Sequence, residues 1–455
     1  MAKRNQSSQF KITEVVISAD RMGGFDAQSF DITSQVIELN LFENLDNPYI
    51  QGTVLLSDDK ALFDRIGFYG TERMKVTICP VDNDLTPVMS RTFIMRRIIK
   101  ERKANDSGKS TVYQFELVDE LLYRSRVKKI SKAFNGNIDD VIKGIVLNDL
   151  GIDLDVSYLF LASGDRTKVV QSNIKGIVPD LTPLETLRWL LARASTENGS
   201  PYFLYASIHD DNLRLGNLDS FLQQEPWNSK LPYSYNPANV SVAEDQGEFQ
   251  KGFIIKDILN SSSADTYEML KTGSLGSRYA NTNLNTGQIT KNKYSFLDTT
   301  KRLGANDIVN VDRINVYDAG FKIDELHADE HTSHHYHTIT SAGTYGGNKG
   351  YHDEFQEALF KKKLEKKAIK NHLIKNSFDV VVTGTAFFIS KASVGDVVSL
   401  RVINDNVEVG MFTTPEELLD KRKSGDFLIY RTRHTFIDNQ HTVAMTVCSM
   451  EDGNV

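Results

Sequence analysis

The sequence of 455 residues contains little cysteine and no long apolar run. Its two cysteines, Cys79 and Cys448, lie far apart beside strand-like sequence, which predicts buried thiols and excludes a disulfide framework. No stretch approaches the length that crosses a membrane, and residues 1–10 lack the apolar core of a signal peptide. We therefore expect the protein to be synthesised in a host cytoplasm and to leave it only as part of a larger assembly.

Motifs for common catalytic chemistry are also missing. The sequence has no Gly-x-Ser-x-Gly elbow, phosphate loop or dinucleotide fingerprint, and its glycines between 343 and 350 lack the strand-then-helix context that such sites need. The acid pairs Asp58-Asp59 and Glu416-Glu417 are interpreted as surface acids, because a glycosidase pair needs a defined separation in space. The net charge of −7 argues against nucleic-acid affinity that depends on overall charge.

What the chain does contain is a strand pattern that occurs twice. Apolar and polar residues alternate over 36–42, 47–56, 70–78 and 112–118, and again over 378–384, 395–402, 427–436 and 441–447. Each set includes a glycine and an acid at a turn, in Gly70-Thr71-Glu72 and in Gly395-Asp396. Alternation indicates strands with one face in a core, so the two sets predict two small β-barrels. A chain with two similar barrels can form a six-fold ring from three copies.

The chain is too long for one hydrophobic core, so we expect several domains in an α+β, mostly β fold. Two β-barrel domains are separated by inserted mixed α/β domains. The predicted boundaries are 1–123 for the first barrel, 124–200 for a helical or mixed insertion, 201–260 for strands of the central and second barrel region, 261–352 for a polar, loop-rich insertion, and 353–455 for a helix and the second barrel.

Helix signals lie in the middle of the chain. Asn137 starts one amphipathic helix that Gly151 ends, and Thr182 and Glu185 form a capping box around Pro183 at the start of a second. Residues 202–208 and 212–215 then read as a hairpin. The middle of the chain is therefore predicted to be mixed α+β.

A long helix is predicted from Glu354 to Lys375, ahead of the second barrel. Leu364 and Ala368 lie on its apolar stripe, and seven lysines between 361 and 375 cover the rest. We interpret the lysines as a solvated helix face. A site for phosphate or an acidic partner is the alternative.

Half of the ten histidines fall within eleven positions, together with Asp329 and Glu330: His327, His331, His334, His335 and His337. On a helix, the first two would share one face, and imidazoles with a carboxylate suit zinc or nickel. The run departs from the zinc-protease pattern, in which Glu directly follows the first His. We interpret it as a polar, solvent-facing segment, with a structural or assembly metal as the alternative and a catalytic metal less favoured; no catalytic residue and no cofactor is predicted.

These residues resemble a known family. Residues 42–54, followed by Gly70-Thr71-Glu72, resemble the first barrel of baseplate hub proteins from contractile-tailed bacteriophages of the T-even type. Residues 182–185, the hairpin at Tyr202, and 378–400 with Gly395-Asp396 resemble later segments of that family in the same order. The hub part of type VI secretion spike proteins is related to it.

The resemblance implies a non-enzymatic homotrimer in which two tail-tube-like barrels per chain present six positions to the hexameric tail tube and three-fold symmetry to the central spike. Expected partners are the tail tube protein, the central spike protein and other baseplate (wedge) proteins, and genomic DNA passes through the channel without specific binding. The expected location is the tail baseplate of the virion. Because the sequence continues only briefly past the second barrel, to Val455, the spike is expected to be a separate polypeptide.

A hydrolase acting on cell wall or glycan is the alternative function, since a tail-associated position would also suit it. The repeated strand pattern and the missing catalytic motifs favour the structural protein. The hypothesis is therefore a ring that adapts six-fold symmetry to three-fold symmetry. Pairing between the sheet edges of neighbouring barrels would hold this ring together, because an exposed sheet edge is stable only when it is paired or covered.

Overall fold

The computed structural model describes residues 10–19, 28–63, 67–80, 87–103, 110–161, 164–165, 174–235, 252–259, 266–284, 286–306, 308–310, 314, 322–331, 334–340, 353–404, 418–438 and 440–451. Within them the chain is mostly β, with helices concentrated in its middle. The predicted α+β, mostly β class is confirmed. Among these residues no helix is long and apolar enough to cross a membrane.

The strands of the first part of the chain are β1 (Phe10–Ala19), β2 (Gln28–Asp31), β3 (Val36–Asn44), β4 (Gln51–Asp58), β5 (Arg73–Pro80), β6 (Met89–Lys103), β7 (Thr111–Asp119), β8 (Ala133–Gly136), β9 (Leu154–Asp155), β10 (Ile174–Ile177), β11 (Tyr202–Ala206) and β12 (Leu213–Asn217). Those of the second part are β13 (Tyr233–Tyr235), β14 (Ile255–Leu259), β15 (Gly276–Asn283), β16 (Ile289–Ser295), β17 (Lys322–Ile323), β18 (Leu326–His327), β19 (His334–Thr340), β20 (Ser377–Thr383), β21 (Val397–Val402), β22 (Gly425–Ile437) and β23 (Gln440–Cys448).

The helices that the structure describes are α1 (Glu120–Arg126), α2 (Ile138–Ile145), α3 (Pro183–Leu191), α4 (Leu218–Leu222), α5 (Thr266–Lys271), α6 (Phe296–Ala305), α7 (Asp353–Lys375) and α8 (Gly384–Ser390). A π-helical turn, Val146–Leu150, extends α2 to Gly151, whose left-handed φ of 69° ends it as predicted. Asn137 occupies the N-cap of α2 without a capping hydrogen bond, whereas the box of Thr182 and Glu185 on α3 is fully formed.

One 13-stranded sheet contains both predicted strand sets. Its first half has the order β3-β4-β7-β6-β5-β1, and its second half has the order β14-β20-β23-β22-β21-β13. The two orders match strand for strand, and neighbours are antiparallel throughout except for the parallel pair β13–β21. The repeat that the sequence predicts is therefore a repeat of sheet topology.

The two halves also share their β-bulges. The pairing register shifts before Glu38 in β3 and before Asp257 in β14, the corresponding strand. It shifts again before Arg97 in β6 and before Arg431 in β22. A bulge re-aims every side chain beyond it, so matching bulges keep the inward-facing positions of both halves equivalent.

The turn that the sequence repeats occupies the same place in each half. The backbone oxygen of Glu72 accepts from the Met95 N–H at 2.8 Å, and that of Asp396 accepts from the Ile429 N–H at 2.9 Å. The two acids are therefore structural equivalents, while the glycines of the pattern are offset from each other by one position. Both turns lead directly into the matching strands β5 and β21.

The halves are joined because β3, the end strand of the first half, pairs with residues 431–437 of β22, beyond the part of β22 that pairs with β21. Within the described residues the paired strands do not close into a barrel. In the second half a single parallel bridge, Ser234 to Ile254, links the end strands β13 and β14. The expected barrels are thus seen as two matching halves of one continuous sheet.

Smaller sheets and helices lie between the halves and, between β14 and β20, within the second half. The predicted hairpin is β11–β12, and β9 adds to its edge in parallel. The segment 261–352, expected to be loop-rich from its polar composition, carries in its described part α5, α6 and the sheet β16-β15-β19. Polar residues such as Ser277 and Asn281 occupy buried positions of β15, so the sequence lacks the apolar alternation that predicts a strand.

Two apolar cores lie beneath the sheet halves. Phe93 and Phe115 are fully buried in the first, and Tyr233 and Phe387 in the second. Both cysteines are buried and unbridged, as predicted. Trp189 and Trp227 pack against these two cores.

Replacement of Gly395 by Val should destabilise the second half. Gly395 has φ of +90°, and a Cβ there would lie 2.6 Å from the buried Tyr205 hydroxyl oxygen. We expect Gly395→Val to lower the free energy of unfolding by about 3 kcal/mol, from backbone strain and overpacking together. Gly287→Val is the matched control, since Gly287 has φ of +68° with nothing within 4 Å. Equal urea midpoints for the two variants would contradict the steric contribution.

Candidate functional site at the joint between the sheet halves

The β3–β22 joint consists of residues 38–44 of β3 paired with residues 431–437 of β22. It connects segments almost four hundred residues apart in the sequence, with Thr432 opposite Glu43 and His434 opposite Leu41. Both strands place polar side chains at inward-facing positions here. The polar side chains buried in the joint therefore need hydrogen-bond partners.

Glu43 lies at the centre of the joint and is 1% exposed. Its carboxylate accepts from the Ile208 N–H at 2.9 Å, from the Ser393 hydroxyl at 2.9 Å and from the Thr432 hydroxyl at 2.6 Å. His434 Nε2 lies 3.2 Å from the same carboxylate. These partners come from the β11–β12 turn, from the turn before β21 and from β22, so one carboxylate holds three segments of the chain together.

The surroundings favour the ionised form of Glu43. Burial by itself raises the pKa of this carboxyl, but the hydrogen bond and charge of His434, assisted by His209 and the Thr432 hydroxyl, lower the pKa to about 2. A buried carboxylate with this many donors is stable only while the donors stay in place. Glu43 thus fixes the relative position of the two halves.

His441 extends the series of polar contacts from Glu43 and His434 into a group of aromatic rings. His434 Nδ1 lies 3.2 Å from His441 Nε2, and the His441 ring stacks on Phe436 with centroids 4.3 Å apart. Phe388 contacts His441 from the other side at 4.5 Å. Burial lowers the pKa of His441 well below its ordinary value, and the neighbouring histidines act in the same direction. His441 is therefore a neutral ring within the joint.

The exposed edge of the joint carries an ion pair. Arg433 lies 3.6 Å from the Glu38 carboxylate, and its Nε–H donates to the Asn40 side-chain oxygen at 3.0 Å. The Thr435 hydroxyl donates to the same oxygen at 2.9 Å. Charge and hydrogen bonding thus reinforce the register of the strand pairing.

Helix α7 braces the joint from outside. Lys370 Nζ lies 2.6 Å from one oxygen of Asp46, and the Tyr430 hydroxyl donates to the other at 2.6 Å. Asp46 lies two residues after the end of β3, and Tyr430 belongs to β22. The helix therefore contacts both strands of the joint through one carboxylate.

The interpretation of the α7 lysines as a solvated face is corrected for several of them. The helix itself spans Asp353–Lys375, close to the prediction, and Leu364 and Ala368 are buried as expected. Lys366 is also buried, and its ammonium donates to the Ala192 and Ala194 carbonyl oxygens at 2.5 and 2.8 Å, beyond the C-terminal end of α3. A cation is favourable there because the last carbonyls of a helix lack intrahelical partners.

Burial lowers the pKa of Lys366 to about 7, with Lys363 and Arg193 nearby acting in the same direction. Lys362 has a related structural role, since it lies 2.9 Å from the buried Glu365, which also contacts Arg302 of α6 at 3.0 Å. Lys361 and Lys363 are exposed. The lysines therefore divide into inward-facing cations that hold α7 in place and outward-facing ones.

The histidine segment forms strands and turns in its described part. His327 ends the two-residue strand β18, so His327 and His331 do not share a helix face. His334, His335 and His337 belong to β19, where the His337 ring accepts or donates a hydrogen bond with Thr282 at 2.7 Å. Within the described residues no group of three His, Cys, Asp or Glu side chains is placed to hold a metal ion.

One of the two acid pairs lies in a described region. The Asp58 carboxylate accepts from the N–H groups of Leu62 and Phe63 at 3.0 and 3.1 Å, so it caps the turn after β4. Asp59 is exposed. The pair Glu416-Glu417 lies outside the described residues. The interpretation as a surface acid is therefore wrong for Asp58, which is buried and has a structural role.

Sequence reasoning did not single out Glu43 or His434. Glu43 continues the inward-facing series of Leu39 and Leu41, and His434 lies between Thr432 and Phe436 in the series of β22. A polar residue at an apolar position of an alternating strand is the signal that would have identified each one. Their mutual contact has no local signal, because it depends on which strands pair.

No protein-family model matches this sequence, and a comparison with curated protein sequences finds no relative. Among solved structures, the chain is similar to the 43 kDa tail protein of prophage MuSo2 from Shewanella oneidensis, with 13% identity and a TM-score of 0.45 over 96% of this chain and 98% of that one. It is similar to a tail protein from Neisseria meningitidis, with 12% identity and a TM-score of 0.45 over 97% of both chains. A Francisella PdpA-VgrG complex matches with 12% identity and a TM-score of 0.45, over 98% of this chain and 54% of that one.

Replacement of Glu43 by Gln should weaken the joint. Gln keeps the size of the side chain but loses the charge and places an amide N–H₂ among donors. We expect the free energy of unfolding to fall by about 2–3 kcal/mol. Glu14→Gln is the control, since Glu14 makes a surface pair with Lys75 at 3.1 Å, and it should change little. Similar urea midpoints for wild type and Glu43→Gln would show that the carboxylate does not hold the joint.

Acid should destabilise the protein before most carboxylates titrate. Burial lowers the pKa values of His209 and His441, and lowers that of His372 to about 4, so the folded protein binds fewer protons there than the unfolded chain. Each such histidine should reduce the free energy of unfolding, by at most about 1.4 kcal/mol per pH unit, as the pH falls from about 6.5 to the pKa of that histidine in the folded protein. The depressed pKa of Glu43 adds a loss between about pH 4.3 and its folded value of about 2.

Denaturation in urea at successive pH values measures this dependence. His441→Phe keeps the aromatic packing and should flatten the slope below about pH 6.5. Phe436→Leu alters the same stack without a titrating group, so it should lower stability while the slope stays unchanged. An unchanged slope in His441→Phe would contradict a neutral buried ring.

Proposed function

We propose that this chain is the structural hub of a contractile-tail baseplate, three copies of which form a ring that adapts a six-fold tail tube to a three-fold spike. The observation that carries this function is the duplicated sheet half: strand order, bulges and turn acids recur within one chain. Three chains then supply six equivalent sheet halves. The sequence resemblance to hub proteins supports the same function.

Elements that occur once per chain would provide the three-fold side of the adapter. Two sets of described elements have no second copy in the sheet order: β8–β12 with α1–α4, which lie between the sheet halves, and β15–β19, which lie between β14 and β20 of the second half. In a trimer these elements repeat three times around the axis, whereas the sheet halves repeat six times. A three-fold partner such as the spike would contact the former, and the tail tube would contact the latter.

The remaining partners follow from the same arrangement. Wedge proteins of the baseplate would contact the outside of the ring, and the virion baseplate would be its location. Genomic DNA would pass through the channel without specific binding, in keeping with the net charge of −7. The inner wall is therefore expected to be polar or acidic.

A tail-associated cell-wall or glycan hydrolase is the alternative that the sequence left open. Of the acid pairs considered for it, Asp58 caps a backbone turn and Glu416-Glu417 lies outside the described residues. No contact in the described part of the chain favours hydrolysis. The structural function is therefore preferred.

The oligomeric state tests the proposed function directly. Native mass spectrometry should give three times the 51.2 kDa chain mass for the purified chain alone, and that mass plus the mass of the spike for the complex. Negative-stain images should show a hollow ring with pseudo-six-fold symmetry, since each copy supplies two sheet halves. A stable monomer in the presence of the spike, or a closed dimer, would refute the adapter.

A further inference from the structure

The three-stranded sheet β16-β15-β19 has one face in the core and one face in solvent. Tyr279 of β15 and Tyr294 of β16 are buried on the inner face, where they belong to the second apolar core. Successive side chains of a strand point to opposite faces. The outer face therefore carries the even-numbered positions of β15 and the odd-numbered positions of β16 and of residues 334–337 in β19.

Cations occupy this outer face. The strand register sets its residues in two rows across the three strands, one of Lys293, Arg278 and His335 and one of Lys291, Ala280 and His337. All of them except Ala280 are exposed, and none of the three strands contains an aspartate or a glutamate. The net charge of the whole chain is −7, so this face differs in sign from the chain as a whole.

No carboxylate of the described residues neutralises these rows. The arginine and the two lysines form no ion pair with any residue that the structure describes. The turn 329–331 covers only the end of the face at Gly276, where the Ser295 hydroxyl donates to the Asp329 carboxylate at 2.7 Å. Arg278 lies directly opposite Lys293, and like charges placed in this way destabilise a sheet. A bound anion would remove that repulsion.

The outer face is shaped as a shallow trough. Its floor is Ala280, whose small side chain lies between Lys291 and His337 on the flanking strands. Neighbouring strands are about 4.8 Å apart, so the two flanking strands are about 10 Å apart across the trough. That width admits one extended chain, and the cations along both sides would contact its acidic groups.

We infer that this cationic trough binds an acidic, extended segment of a partner protein, whose carboxylates lie beside Arg278, Lys291 and Lys293. A single strand of nucleic acid is the less favoured occupant, because proteins that bind such strands stack the bases on exposed aromatic rings. The tyrosines of these three strands belong to the inner face. The trough does not depend on the proposed ring, since one copy of the chain carries all three strands.

Fluorescence anisotropy with a labelled decaglutamate peptide tests this binding on the full-length chain. We expect saturable binding at low ionic strength that weakens as salt is added, because salt screens charges on an exposed face. Arg278→Glu and Lys291→Glu should each raise the dissociation constant about tenfold, since each places a carboxylate beside those of the peptide. Lys421→Glu makes the same charge change at an exposed position outside the sheet and should leave the dissociation constant unchanged.

Two variants at the floor of the trough separate charge from shape. Ala280→Glu and Ala280→Gln introduce side chains of nearly equal size, and only the first adds a negative charge. The Glu variant should therefore bind decaglutamate about tenfold more weakly than the Gln variant. Circular dichroism and urea midpoints check that both are folded. Equal dissociation constants for two folded variants would overturn recognition by charge at this position.

A second probe decides the chemical class of the occupant. Labelled oligothymidylate of the same length should bind more weakly than decaglutamate, because the described outer face offers no ring for base stacking. Tighter binding of oligothymidylate that is lost in Arg278→Glu would overturn the protein segment in favour of single-stranded nucleic acid.

The remaining outcomes distinguish the trough from the ring. Decaglutamate that fails to bind at low ionic strength, or that is lost equally in Lys421→Glu, would overturn the trough whatever the oligomeric state. A stable monomer that binds decaglutamate and loses it in Arg278→Glu would support the trough and refute only the ring.

Discussion

The structure depends on a carboxylate that is removed from water where two sheet halves meet. Burying an isolated charge is costly, so Glu43 is tolerated only because donors from three separate segments converge on it. The same contacts order the turn after β11 and the turn before β21, which border the insertions. A continuous sheet across the joint leaves the halves one relative position, and the rest of the chain is built around that position.

Duplication explains why the chain needs such a joint. Within the described residues, the two halves have the same strand order, and the end strand of the first half, β3, pairs with residues 431–437 of β22 in the second half. This pairing makes one continuous sheet of the two halves.

Helix α7 is held in place by lysines that contact neighbouring elements of the fold. Its inward-facing lysines reach a helix end, a buried glutamate and the aspartate beside the joint, so one helix connects α3, α6 and β3. These contacts place cations beside carbonyl oxygens at a helix end and beside the carboxylates of Glu365 and Asp46. A helix that is rich in lysine is in this case a brace between domains, and only part of its charge faces solvent.

The sequence by itself determined the local elements. Alternation at 36–42 and 441–447 predicted strands, and Thr182 with Glu185 predicted the start of α3, because burial of one face and capping of the first turn are properties of neighbouring residues. The recurrence of these patterns also predicted a duplication. Tertiary structure decided which strands pair, how Lys366 is buried, and that Glu43 meets His434 from 391 positions away. Strand partners and buried ion contacts depend on register and packing across the whole chain, and no local periodicity specifies them.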